Sequence, residues 1–177
     1  PLSANFAIST DSLGYEGEPA VASNAAGLTL VVWRDGREGG ILPGATFDIY
    51  GQWIDSTGQP LGGNFKVNDT PRGSQQDDPP TVTCDPTQGF VVAWIDRRLG
   101  TSVDPGDVFA QRYGSDRSPI GANVKVNDDP RGKNQRNVRS AAGPDGAYLF
   151  WEDLREGSGL DPNVEAARVS YDGTAVG

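Results

Sequence analysis

Asp35, Asp96 and Asp153 each lie two residues after a tryptophan and two before an arginine, giving the pairs Asp35 with Arg37, Asp96 with Arg98, and Asp153 with Arg155. A carboxylate and a guanidinium at this spacing can form a bidentate pair that braces a turn. The pattern occurs three times, and a catalytic site is seldom built in triplicate, so it reads first as a structural brace. The same carboxylates also admit a Ca²⁺ reading. Asp96, Asp104 and Asp107 offer hard oxygen ligands within one short segment, as do Asp153, Asp161 and Asn163. No D-x-[DN]-x-[DN]-G loop supports either set. Arg72 and Arg131 follow Asn68-Asp69 and Asn127-Asp128, and either arginine could meet a ligand. The bland alternative is an Asx-turn at each asparagine. Trp53 has no aromatic counterpart in the other repeats, where Arg112 and Arg168 stand. It is expected either to pack or, if exposed, to stack on a sugar ring. Glu16 and Glu18 form the one carboxylate pair that does not repeat, and glycoside hydrolysis needs two carboxylates about one bond.

The absences limit the chemistry further. The 177 residues include no histidine, which removes Ser-His-Asp and Cys-His catalysis and imidazole metal ligands. Cys84 is the single cysteine and sits in an apolar alternation with no basic neighbour, so it reads as a buried structural thiol. The net charge of −9 opposes nucleic-acid binding, because phosphate recognition needs a concentrated basic surface. No apolar run approaches the roughly 18 residues that a membrane-spanning helix requires. No secretion signal is visible, and the chain begins at Pro1 without methionine, as expected of a processed or trimmed product.

What positions these residues is a repeat of roughly 60 residues. Leu30-Val31-Val32-Trp33-Arg34-Asp35 aligns with Val91-Val92-Ala93-Trp94-Ile95-Asp96 and with Tyr148-Leu149-Phe150-Trp151-Glu152-Asp153. A second block reads Asp48-Ile49-Tyr50-Gly51-Gln52, then Asp107-Val108-Phe109-Ala110-Gln111, then the decayed Asn163-Val164-Glu165-Ala166-Ala167. A third block, beginning Pro60-Leu61 and Pro119-Ile120, finds its remaining copy at the start of the chain, Pro1-Leu2-Ser3-Ala4-Asn5-Phe6. Each repeat is expected to hold four short strands; in the second they fall at 80–84, 90–95, 107–113 and 123–127, separated by strong turn residues. No stretch has a helical period. The phase is therefore offset by one strand. A strand at 4–9 is expected to complete a last unit, the units running over about 19–68, 80–127 and 138–177 within one repeat domain spanning 1–177.

Four-stranded units with one tryptophan each predict an all-β fold, a β-propeller of three antiparallel blades per chain. The sequence resembles the W-x-D-x-R-x-G…D-I-Y-x-Q repeats of secreted bacterial β-propellers, which are distantly sialidase-like or BNR-like. The resemblance covers the whole chain and implies an extracellular or cell-surface location. The sialidase Asp-box, S-x-D-x-G-x-T-W, is absent. Three blades do not readily close a ring, so the expected partner is a second copy, in a six-bladed ring of two chains or a strand-exchanged assembly. The expected function is non-enzymatic: self-assembly, or recognition of glycan or protein through a charged loop face. The one cofactor candidate is Ca²⁺. The rival expectations are a sialidase-like glycoside hydrolase fragment using Glu16 and Glu18, and a purely structural filament or surface-layer subunit.

Overall fold

A computed structural model describes residues 5–11, 14–37, 46–70, 78–85, 89–98, 106–128, 134–154 and 162–172. The fold is all-β. Eleven strands are described: β1 (Glu16–Ser23), β2 (Thr29–Asp35), β3 (Asp48–Ile54), β4 (Pro60–Lys66), β5 (Thr81–Cys84), β6 (Gly89–Asp96), β7 (Asp107–Gly114), β8 (Pro119–Lys125), β9 (Gln135–Ala142), β10 (Gly146–Asp153) and β11 (Asn163–Ser170). They form three antiparallel meanders: β1-β2-β3-β4, β5-β6-β7-β8 and the three-stranded β9-β10-β11. Among the described residues no closed barrel forms. The fourth strand of the second unit begins earlier than its apolar pattern suggested, at Pro119 rather than 123.

Turn chemistry sets the hairpins. Asn24 Oδ1 accepts the amides of Ala26 (3.1 Å) and Leu28 (3.0 Å) between β1 and β2. Asp55 Oδ1 accepts those of Thr57 (2.8 Å) and Gln59 (2.9 Å) between β3 and β4, where Gly58 takes φ 86°. Asp116 does the same for Ser118 in the next unit (3.0 Å). These local side-chain oxygens replace backbone partners that a tight turn leaves open. They lie at one rim of the sheets. The long connections leave from the other rim, beside the cross-strand pairs Asp35–Asp48, Asp96–Asp107 and Asp153–Asn163.

The sheets stand face to face in sequence order, with β1 against β5 and β5 against β9. Alternate residues of each second strand point to opposite faces of the sheet, as the period of a strand requires. Leu30 and Val32 meet Val92 and Trp94 in the first interface. Val91, Ala93 and Ile95 meet Leu149 and Trp151 in the second. β6 is thus buried along its whole length, which explains its continuously apolar sequence.

The expected strand at 4–9 is not formed in its described part. Residues 5–11 carry no strand and do not pair with β11; the segment lies against β4 of the first sheet. Its bonds to Asn64 tie it to the first sheet, and among the described strands β11 stands at the edge of the third sheet.

Candidate functional site

The repeated Trp-x-Asp-x-Arg motif is a clasp. In the first unit Trp33 Nε1 donates to Asp35 Oδ2 (2.8 Å). Arg37 gives three more bonds to the same carboxylate, from its amide (2.9 Å), Nε (2.9 Å) and Nη2 (2.6 Å), and its guanidinium stacks 4.0 Å from the centre of the Tyr50 ring. Burial works to raise the Asp35 carboxyl, but the bonds from Arg37 and Trp33 outweigh it and hold the group below the ordinary carboxylate value. The second unit repeats each element: Trp94 Nε1 to Asp96 (3.0 Å), the Arg98 amide (2.8 Å), Nε (2.9 Å) and Nη2 (2.6 Å), with Arg98 over Phe109 at 4.3 Å. Arg98 also reaches Asp69 in the segment leaving the first sheet, so this clasp bridges two sheets. The third unit departs. Asp153 is fully buried and takes a bond from Gln135 Nε2 (3.4 Å), but Trp151 Nε1 has no partner among the described residues. Arg155 lies outside them.

A second lock closes the same rim. Asn68 Oδ1 accepts the Ile49 amide (2.8 Å), while its Nδ2 donates to Asp48 (2.7 Å), which also meets Lys66 at 3.0 Å. Asn127, Val108, Asp107 and Lys125 repeat this at 2.8, 2.9 and 2.8 Å. The asparagines therefore tie the strand end back to β3 and β7. This arrangement also bears on the Ca²⁺ reading. Asp96 and Asp107 each already face a cation, Arg98 or Lys125, while Asp104 and Asp161 lie outside the described residues. Asp153 and Asn163 are cross-strand partners. Among the described residues no group of three or more potential metal-ligating side chains occurs.

The remaining candidates separate. Trp53 is buried and unavailable to a sugar: it stacks on Phe65 (6.0 Å, 13°) and meets Phe90 and Tyr113 edge-on (5.0 and 5.7 Å). The interface between the first two sheets needed a large apolar side chain at that point, and a single sequence does not show what stands opposite. Glu16 and Glu18 lie in β1, not in a loop, with a register shift between Gly17 and Ala20. Glu18 is ion-paired with Arg34 (2.6 Å), whose guanidinium stacks on Phe47 at 4.3 Å, while Glu16 accepts the Ser9 hydroxyl. A shallow cavity of about 310 Å³ is bordered by Glu16 with Ile8, Pro19, Val31 and Trp33, but not by Glu18. Arg72 and Arg131 lie outside the described residues. Cys84 is half-buried, and burial, helped by Asp85, pushes its thiol up, away from reactivity.

Sequence reasoning missed Gln52, Gln111, Asn64 and Asn123. Gln52 Nε2 donates to the carbonyls of Trp53 (2.9 Å), Leu61 (3.3 Å) and Gly62 (3.3 Å), filling the irregularity where β4 departs from β3. Its Oε1 accepts from Asn64 (2.7 Å), and Gln111 accepts in the same way from Asn123 (2.6 Å). The signal was present: both pairs recur at one spacing. Buried amides of this kind must be satisfied, and each pair satisfies the other.

Apolar surface, in contrast, is open on the third sheet. Leu30, Val32 and Ile49 of the first sheet and Val91, Ala93 and Val108 of the second are fully buried. Their counterparts in the third, Tyr148, Phe150 and Val164, are 39%, 41% and 77% exposed. The outward face of the first sheet is open in the complementary sense: Val21 is 63% exposed, whereas Val82, its counterpart in the second sheet, is 8%. No family model matches the chain, and no curated protein matches it significantly.

Proposed function

We propose that this chain is a non-enzymatic, propeller-type repeat module, secreted or displayed at a cell surface, whose activity is assembly. The observation that carries this reading is the open face of the third sheet. Its apolar side chains occupy the positions that the first two sheets bury completely against a neighbour. Burying such side chains is worth about 1.5–3 kcal/mol each, so a face of this pattern favours a partner of the same shape. Two copies would set the third sheet of one against the first sheet of the other and arrange six blades about one axis. A closed ring uses the same contact at both joints and leaves neither face exposed.

Light scattering at micromolar concentration tests this directly. Twice the chain mass is expected; a folded monomer would overturn the reading. A second reading is recognition of a protein or glycan at the rim from which the long connections leave, since all the described hairpin turns lie at the opposite rim. Retention of a ligand by a variant unable to assemble would favour it.

A further inference from the structure

We infer that the joint between two copies is a donated strand: the segment around Phe6 of one copy forms the fourth strand of the third sheet of the other, antiparallel to β11. This rests on the assembly reading and specifies its contact.

The first support is the position of residues 5–11. Asn64 Nδ2 donates to the Ile8 carbonyl (3.1 Å) and its Oδ1 accepts the Thr10 amide (2.7 Å). One unit later, Asn123 Nδ2 donates to the Val67 carbonyl (3.3 Å) and its Oδ1 accepts the Asp69 amide (2.7 Å). Ile8 and Thr10 thus stand to the first sheet as Val67 and Asp69 stand to the second. Val67 and Asp69 directly follow β4, so Ile8 and Thr10 hold the place of the tail of a fourth strand belonging to a sheet in front of the first. That tail is already docked, and a third sheet from another copy would supply the three strands missing before it.

The second support is the acceptor edge. Gly51 pairs with Phe65 and Ala110 with Val124 in the first two sheets. The counterpart of Gly51 and Ala110 is Ala166, which is exposed on the unpaired side of β11, and the counterpart of Phe65 and Val124 is Phe6, 54% exposed. An unpaired edge strand is a template for another strand, and backbone hydrogen bonds would carry the joint.

The third support is a matched loss. In the first two sheets the fourth strand carries extra residues, with Gly62 at φ 74° and Gly121 at φ 68°, and Gln52 or Gln111 fills the irregularity from the facing strand. At the proposed joint both halves of this device are missing together: Ser3 stands for the glycine and Ala167 for the glutamine. A regular pairing needs neither. The second copy is the occupant because the matching block lies in this same sequence.

In a Cys84→Ser background, Phe6→Cys and Ala166→Cys chains are mixed under mild oxidation. A covalent heterodimer is expected to form in at least tenfold excess over that from Thr57→Cys, at the opposite rim, mixed with Ala166→Cys. Both substituted positions are exposed, so folding is retained, and circular dichroism checks it. Assembly at twice the chain mass without this cross-link would overturn the donated strand and leave the assembly reading standing. A folded monomer would overturn both. A cross-link confined to a single chain carrying both cysteines would also overturn the joint, since the strand would then close on its own chain.

Discussion

The second and third sheets follow one repeat pattern and differ in what covers them. β6 has a sheet on each side; β10 has one. At the same repeat position the second sheet places Ala93 and the third Phe150, and the smaller side chain is the fully buried one. The contrast extends to polar groups. Asp96 is clasped by Trp94 and Arg98, whereas Trp151 offers its indole N–H to nothing described. Gln111 braces β8, while among the described strands none pairs with β11 beyond Ala167. The repeat therefore specifies a strand pattern, and the neighbour decides how much of it contributes to stability.

Breaking the covered side should have the largest effect. Trp94→Ala removes a fully buried indole between the first two sheets and is expected to cost about 3–5 kcal/mol in urea denaturation. Asp35→Asn comes next, at about 2 kcal/mol, because it weakens hydrogen bonds to a charged, buried group. Its pH dependence has a definite sign. The folded-state pKa of Asp35 is depressed, so its contribution is fully present above the unfolded carboxylate value and is lost as pH falls through the lower folded value. The urea midpoint of the wild type should therefore fall on acidification more steeply than that of Asp35→Asn, and parallel curves would remove the clasp from the acid limb. Gln111→Ala should cost about 1–2 kcal/mol by stranding the Arg112 carbonyl and the Asn123 amide group.

The sharpest pair exchanges residues between the two sheets. Ala93→Phe overpacks a covered face and should cost about 1–3 kcal/mol. Phe150→Ala, at the open position, should change the stability of the isolated chain by about 1 kcal/mol or less while weakening assembly in light scattering. Equal costs for the two would mean that the third sheet is covered in solution to the same degree as the second.

Much of the fold was legible in the sequence. The tryptophan spacing placed the second strands, the Asp-Ile-Tyr and Asp-Val-Phe blocks placed the third, and turn residues of the second unit such as Asp116 marked a hairpin, because each depends on residues near in sequence. The Asp–Arg pairing was legible for the same reason: its partners are two residues apart. Trp53 was not, since its neighbours Phe90 and Tyr113 come from the next unit, and neither was the Glu18–Arg34 pair, which needs the register of β1 on β2.

The sequence by itself determined three β units and the Asp–Arg clasp chemistry of the first two, because strand alternation and short-range hydrogen bonding are local properties. Only the tertiary structure decided which faces those units bury. Burial depends on what stands roughly 60 residues away, and the edge position of β11 among the described strands and the contact of Ile8 with Asn64 are visible only once the three sheets are set side by side.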